Sequence, residues 1–485
     1  MHPKVLIDDL LRQSKERREE AAPAMPDLFA DFNGLPDKEA LTEFYQHDAN
    51  WSNRMILGDS LSVMASLAER EGLRGKVQCI YIDPPYGIRF NSNFQWSTTS
   101  RDVKDGNKDH ITREPEQVKA FRDTWRDGIH SYLTYLRDRL TVARDLLADT
   151  GSIFVQIGDE NVHRVRALMD EVFGDDNFVA QIYFTATSGR QDATIDRLGN
   201  YVLWYARDYS AVKYRQLFIE KSELEGETAS DLQSQGIRTT GSFEVALFGR
   251  RYVPLSGNHR KTTAEGIRRL SRSDRVVPMR QVIRYRRHQT DFPVIAMGDV
   301  WTDTGGGAGP EKIYVVQTST RVISRCILMT TDPGDLVLDP TCGAGTTATV
   351  AEQWGRRWIT IDTSRVALAI ARARIMGARY QYYLLADSPE GQRKEAEVNR
   401  TPPKETPTHN DIRQGFVYDR VPHITLGSIA DNAEIDVIWE KWQATLEALR
   451  ARLNAAVGES WQEWQIPRDA RADWPAQAKA AHAEW

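Results

Sequence analysis

A chain of 485 residues, 41% hydrophobic and 27% charged, has ample material for a sizeable core and predicts roughly three domains or one large elaborated one. Its formal net charge of −5 excludes nucleic-acid binding as a global property, so any such surface must be a local basic patch. Three widely spaced cysteines (Cys79, Cys326, Cys342), a charged start without a signal-peptide apolar region and no membrane-length apolar run exclude a disulfide framework, a structural zinc site and a membrane span, and predict a soluble cytoplasmic protein.

In chain order, residues 4–19 alternate Val5, Leu6, Leu10 and Leu11 with charges, the pattern of an amphipathic docking helix. Pro23, Pro26 and Pro36 then break the chain into loops. A short strand at Arg54–Leu57 ends in Gly58-Asp59-Ser60 and a helix follows through Leu61, Met64 and Leu67. Asp59 either caps that helix or accepts hydrogen bonds from a ligand. The apolar run Val77–Ile82 reads as a buried strand and runs into Asp83-Pro84-Pro85-Tyr86. In an open α/β sheet ligands bind just beyond the carboxyl ends of strands, which is where this tetrapeptide falls. Two prolines fix two φ angles and remove two N–H donors, leaving carbonyls without local partners. A carboxylate, a rigid carbonyl pair and an aromatic face together suit a planar base carrying an exocyclic amine. The competing reading is a proline-stiffened turn that ends a strand.

Residues 90–125 form a long polar stretch, read as a functional or disordered loop. A helix over 129–147, a strand at Ile153–Ile157, a helix over 160–173 and a strand at Phe178–Phe184 continue the alternation, which predicts a doubly wound, largely parallel sheet. From about Lys213 the alternation stops. Between Arg250 and Arg287 lie about a dozen basic residues, among them Arg251, Arg260, Lys261, Arg268, Arg269, Arg272, Arg275, Arg284 and Arg286, opposed only by Glu265 and Asp274. Such a run is either a solvated face or a nucleic-acid-reading insert. The excess of arginine over lysine, interleaved with Tyr252, His259, Tyr285 and His288, favours the insert.

The α/β pattern resumes with a helix around Arg321–Met329 and a strand over 335–339. That strand enters Pro340-Thr341-Cys342-Gly343-Ala344-Gly345-Thr346-Thr347, then a helix to Trp354 and a strand Trp358–Ile361 ending in Asp362. Glycines permit close backbone approach to a ligand, and an acid at the second strand end can hold ribose hydroxyls. The lysine of a phosphate-binding loop and the third glycine of the dinucleotide fingerprint are both missing. A nucleoside without a polyphosphate fits better, S-adenosylmethionine rather than NAD or ATP. The segment 391–408 is a Pro-containing linker, and 434–465 is helical in pattern.

These features together resemble the exocyclic-amino DNA methyltransferases, specifically the circularly permuted β class in which the catalytic motif precedes the cofactor motif. Among these the chain looks most like modification subunits of Type III restriction systems and related phage-defence adenine methylases. The resemblance implies an α/β, doubly wound, mostly parallel Rossmann-like methyltransferase sheet with an inserted DNA-recognition domain and a helical C-terminal segment. The corresponding segments are 1–50, 51–212 (catalytic half), 213–300 (target recognition), 301–390 (cofactor half), 391–408 and 409–485. It implies that Asp83 and the Pro84 carbonyl accept hydrogen bonds from adenine N6, with Pro85 rigidifying the turn and Tyr86 stacking on the base. Phe184 stands at a position that would supply a second wall. Asp339, Thr341, Gly343, Gly345 and Thr346 fall in the cofactor loop, with Asp362 on the ribose and Asp59 on the cofactor's adenine. Arg250, Arg251, Arg260, Lys261, Arg268, Arg269, Arg284 and Arg286 are candidates for DNA contact. Double-stranded DNA, a second copy of the chain and a restriction, translocase or other defence subunit are the implied partners. N4-cytosine methylation and a non-catalytic cofactor- or DNA-binding subunit are the alternatives. Two departures from the family pattern stand out: Thr341 replaces the usual Phe, and Thr318-Ser319 replaces a common Lys-Pro.

Overall fold

The computed structural model describes residues 51–86, 128–186, 194–305, 318–404 and 406–485. The amphipathic helix expected at 4–19 and the polar stretch 90–125 lie outside the described residues. The chain divides into two compact units: one takes residues up to Phe218 and Ala296–Asp419, the other Ile219–Ile295 and Arg420–Trp485.

The first unit is built on an eight-stranded sheet. β1 (Arg54–Leu57), α1 (Ser60–Glu69) and β2 (Val77–Ile82) are followed by α2 (Ile129–Leu146), β3 (Leu147–Ile157), α3 (Val162–Phe173), β4 (Phe178–Thr185) and β5 (Gly199–Ala206). After the second unit's segment come β6 (Val300–Trp301), α4 (Thr320–Thr330), β7 (Leu336–Asp339), α5 (Thr346–Gln353), β8 (Arg357–Asp362) and α6 (Arg365–Gly377). The spatial order is β1-β8-β7-β2-β3-β5-β4-β6. β5 runs antiparallel to β3 and β4; the other pairings are parallel. The expected doubly wound, mostly parallel α/β sheet is therefore what forms. β5 went unread in the sequence, although Tyr201–Ala206 is an unbroken apolar run.

β2 and β7 are buried along their whole length, as central strands covered on both faces must be. Successive β2 side chains point to opposite layers. Ile80 and Ile82 join Met64 of α1, Leu136 and Leu140 of α2 and Val165 of α3. Cys79 and Tyr81 join Cys326 and Ile327 of α4 and Ala348 and Ala351 of α5. From β2 the chain steps through α2 to β3 on one side. From β7 it steps through α5 to β8 on the other. The switch point, and hence the ligand crevice, lies between β2 and β7.

The second unit holds short strands around the helix Ala264–Arg272. Its core contains Leu232, Tyr252, Ile267, Leu270 and Ile283 together with Ile429 and Ala430 from the C-terminal segment. The sequence separated 213–300 from 409–485, whereas packing joins 219–295 with 420–485.

Candidate active site

Asp83 follows directly on β2, and Thr341 stands in the turn after β7. Because Val337 and Leu338 of β7 pair with Cys79 and Ile80 of β2, the two loops emerge side by side. The Asp83 N–H donates to Thr341 Oγ1 at 2.8 Å. Thr341 in turn donates from Oγ1 to Asp339 Oδ1 at 3.1 Å, and its N–H donates to the same oxygen at 2.9 Å. The replacement of Phe by Thr thus links the tetrapeptide to the glycine turn. Tyr86 is fixed at both ends: its carbonyl accepts from Asn161 Nδ2 at 2.7 Å and its hydroxyl accepts from Gln156 Nε2 at 2.6 Å. A Cβ on Gly158 would come within 3.0 Å of the Tyr86 ring, so a side chain there would crowd the ring's position.

The cofactor half is a tight, backbone-lined turn. Gly343 and Gly345 both take positive φ (50° and 70°), a region glycine enters without steric cost. The Gly343 N–H donates to Asp362 Oδ2 at 2.9 Å, and the Ser364 N–H to Asp362 Oδ1 at 2.8 Å. β1 lies beside β8 with Leu57 opposite Asp362, which brings Asp59 to the same end of the sheet. Asp59 does cap α1, accepting from the Leu61 and Ser62 N–H groups at 3.0 and 3.2 Å through Oδ1. Its Oδ2 pairs with Arg139, a buried residue of α2 whose guanidinium lies 3.4 Å from the Tyr135 ring centroid.

Burial pushes the Asp83 carboxyl up to about 7, with the charge of Asp339 adding to it, while a hydrogen bond from Thr318 opposes the shift. Burial likewise raises Asp339 and Asp362 to about 6 each, against hydrogen bonds from the surrounding turn. Among the described residues, no lysine or arginine is among the leading influences on these three acids. Surplus negative charge in a crevice favours a cationic ligand. All three cysteines are buried. Burial pushes the Cys79 thiol up to about 12 and the other two well above their ordinary value, which leaves no reactive thiolate.

A family model described as DNA methylase, for N6 and N4 enzymes, matches residues 77–373, more than half of the chain. The chain belongs to this DNA methylase family. Among curated proteins it is similar to the Type II methyltransferase M.EcaI of Enterobacter cloacae, 26% identical over 65% of this chain and 66% of that one. It is similar too to the StyLTI Mod subunit, of a Type III restriction-modification enzyme from Salmonella typhimurium, at 23% identity over 69% and 55% of the two chains. The EcoPI Mod subunit of Escherichia phage P1 shares 29% identity over 41% and 32%. The chain thus spans from about a third to just under two thirds of the length of these three relatives.

Within this methylase frame, Asp83, Asp339, Thr341, Gly343 and Asp362 come together at the β2–β7 crevice. Thr346 is buried and its hydroxyl accepts from Arg374 at 2.9 Å, so it fastens the turn to α6. Phe184 is only 3% exposed and packs with Phe154, Trp204 and Trp301. Tyr86 packs against the opposite layer. Phe184 is therefore core, and its reading as a second wall for the base is corrected.

The arginines of the second unit separate into two groups. Arg250, Lys261 and Arg268 are exposed, and Arg251 is exposed beside Glu244 at 3.1 Å. Arg260 is 4% exposed and donates to the Tyr252 carbonyl at 2.7 Å. Arg269 donates to Asp436 Oδ2 at 2.8 Å, Arg284 faces Asp231 at 3.2 Å, and Arg286 contacts Asp274 at 2.5 Å. Arg260 and Arg269 are structural, and the DNA-contact reading is withdrawn for both. Sequence reading noted Thr318 only as a departure from the family pattern and gave no role to it, to Gln156 or to Arg139. A lone polar residue whose partners lie far along the chain carries no spacing signal.

Proposed function

We propose that this chain is an S-adenosylmethionine-dependent, site-specific DNA methyltransferase acting on the N6 amine of a flipped adenine. The observation that carries the reading is the hydrogen bond from the Asp83 N–H to Thr341, which sets an amine-accepting tetrapeptide against a nucleoside-type turn. The cofactor fits the donors present. Asp362 can accept from a ribose diol, the glycine turn admits a ligand against backbone, and the cluster of buried acids favours a sulfonium and an ammonium over a phosphate chain. Bound there, the cofactor supplies a methyl group on a positively charged sulfur.

The chain's own groups then align the acceptor. The adenine amine is a poor nucleophile because its lone pair is delocalised into the ring. The Asp83 carboxylate and the Pro84 carbonyl accept its two N–H bonds, which favours a pyramidal nitrogen with the lone pair directed at the methyl. Asp83 thus orients the amine rather than serving as a general base. Tyr86 stacks on the base, returning about 1–3 kcal/mol of the flipping cost. Arg250, Arg251, Lys261 and Arg268 supply phosphate and base-edge contacts, with Arg284 and Arg286 available by exchange of their acidic partners. Double-stranded DNA is the substrate, in a restriction-modification or phage-defence setting. The assembly is a homodimer working in the cytoplasm with a restriction or translocase subunit. Asp83→Ala is expected to abolish methyl transfer while S-adenosylmethionine binding survives. Mass spectrometry of nucleosides from treated DNA reads the outcome: N6-methyladenine supports the proposal, N4-methylcytosine moves the substrate to the other amine, and full activity in the variant overturns the site.

A further inference from the structure

A polar chain behind the tetrapeptide has a direction. The buried Tyr81 hydroxyl donates to Gln156 Oε1 at 2.6 Å, which fixes the amide so that Nε2 faces the site. Nε2 donates to two hydroxyls, Tyr86 at 2.6 Å and Thr318 Oγ1 at 2.9 Å. Each hydroxyl accepts one bond from the amide and keeps its own proton to donate. Thr318 donates to Asp83 Oδ2 at 3.0 Å. The chain runs from Tyr81 through Gln156 to the Thr318 hydroxyl, which lies 3.2 Å from Gln156 Oε1 and reaches Asp83 Oδ2 over the shorter 3.0 Å.

We propose that Thr318 and Gln156 are positioning residues, which hold the Asp83 carboxylate and the Tyr86 ring in the geometry that grips the amine-bearing base. The inference rests on reading Asp83-to-Tyr86 as the active site. One amide sets both parts: it anchors the Tyr86 ring by its hydroxyl and orients the Thr318 hydroxyl on Asp83. A donor on Oδ2 keeps the carboxylate an acceptor, with its remaining lone pairs left for the substrate N–H.

The test is Thr318→Val against Thr318→Ser. Thr318→Val keeps the shape and removes the donor, so kcat is expected to fall about tenfold or more, the cost of a hydrogen bond to a charged group. S-adenosylmethionine affinity by calorimetry stays at the wild-type value. The rising limb of kcat/KM against pH moves upward, because the carboxylate has lost a group that favours its ionised form. Among the described residues, the titratable groups facing Asp83 are Asp339 across the strand junction, Tyr86 in its own loop, Tyr81 on β2 and Tyr132 on α2. All four remain in both variants. Thr318→Ser restores rate and pH limb. Wild-type kcat with an unmoved limb in Thr318→Val overturns the proposal. So does equal impairment in Thr318→Ser, or loss of S-adenosylmethionine binding along with rate, since the hydroxyl then serves the fold. A wild-type protein that methylates no DNA overturns the underlying reading instead.

Discussion

Asp83 carries a cost that its neighbours only partly offset. Its folded pKa of about 7 stands above the ordinary carboxylate value of 3.8, so the folded state binds its proton more tightly than the unfolded chain does. Such a group favours folding fully below the unfolded value and loses that contribution as pH rises through the folded one. At pH 8, then, the ionised Asp83 works against folding, and Asp83→Asn is expected to raise the melting temperature by a few degrees. At pH 4 the two proteins should melt together. Thermal denaturation at both pH values, without cofactor, checks the sign. A variant less stable at pH 8 would mean that Thr318 and Tyr86 stabilise the carboxylate by more than burial destabilises it. The tetrapeptide was legible in the sequence because its prolines and acid sit consecutively at a strand end. Thr318 was not, since its partner Asp83 lies 235 residues away and only the fold joins them.

Between the residue and the sheet, the glycine turn decides whether two elements meet. Gly345 sits at φ 70°, and a Cβ there would lie 2.7 Å from the Ala371 Cβ of α6. The start of α5 and the body of α6 are packed against backbone at that point. Gly345→Ala adds a left-handed penalty of about 1–2 kcal/mol to an overlap that must push one helix away. The expected result is a lower melting temperature together with weakened S-adenosylmethionine binding, because Asp362 and the Gly343 N–H are displaced with the turn. Unchanged affinity in a folded variant would count against this turn as the cofactor site. The strand, turn, helix and acid over 335–362 could be read from spacing because every part is local. The partnership of β7 with β2 could be expected only through family resemblance, and the antiparallel β5 followed from neither.

Over the whole molecule, the excess acid and the arginine run divide the electrostatics between the two units. Composition could show a basic segment but not which arginines stay in water, because acids far along the chain compete for them. Asp436 takes Arg269 and Arg272, and the Trp439 ring lies 3.9 Å from the Arg272 guanidinium. Those arginines join the C-terminal helix Glu434–Val457 to the insert, so they serve the unit's own packing. Under the proposed function the exposed Lys261 and Arg268 are electrostatic partners for a polyanion. Replacing both by Glu should weaken binding to DNA duplexes of any sequence, and the slope of log affinity against log salt should become shallower by about 0.9 for each phosphate no longer neutralised. S-adenosylmethionine affinity should not move. Arg260→Ala is the control: its guanidinium is buried on the Tyr252 carbonyl, so it should lower stability while leaving the salt slope intact. A slope that falls in Arg260→Ala and holds in the Lys261 and Arg268 variant would reverse the assignment, making the buried arginine the one that DNA binding exposes.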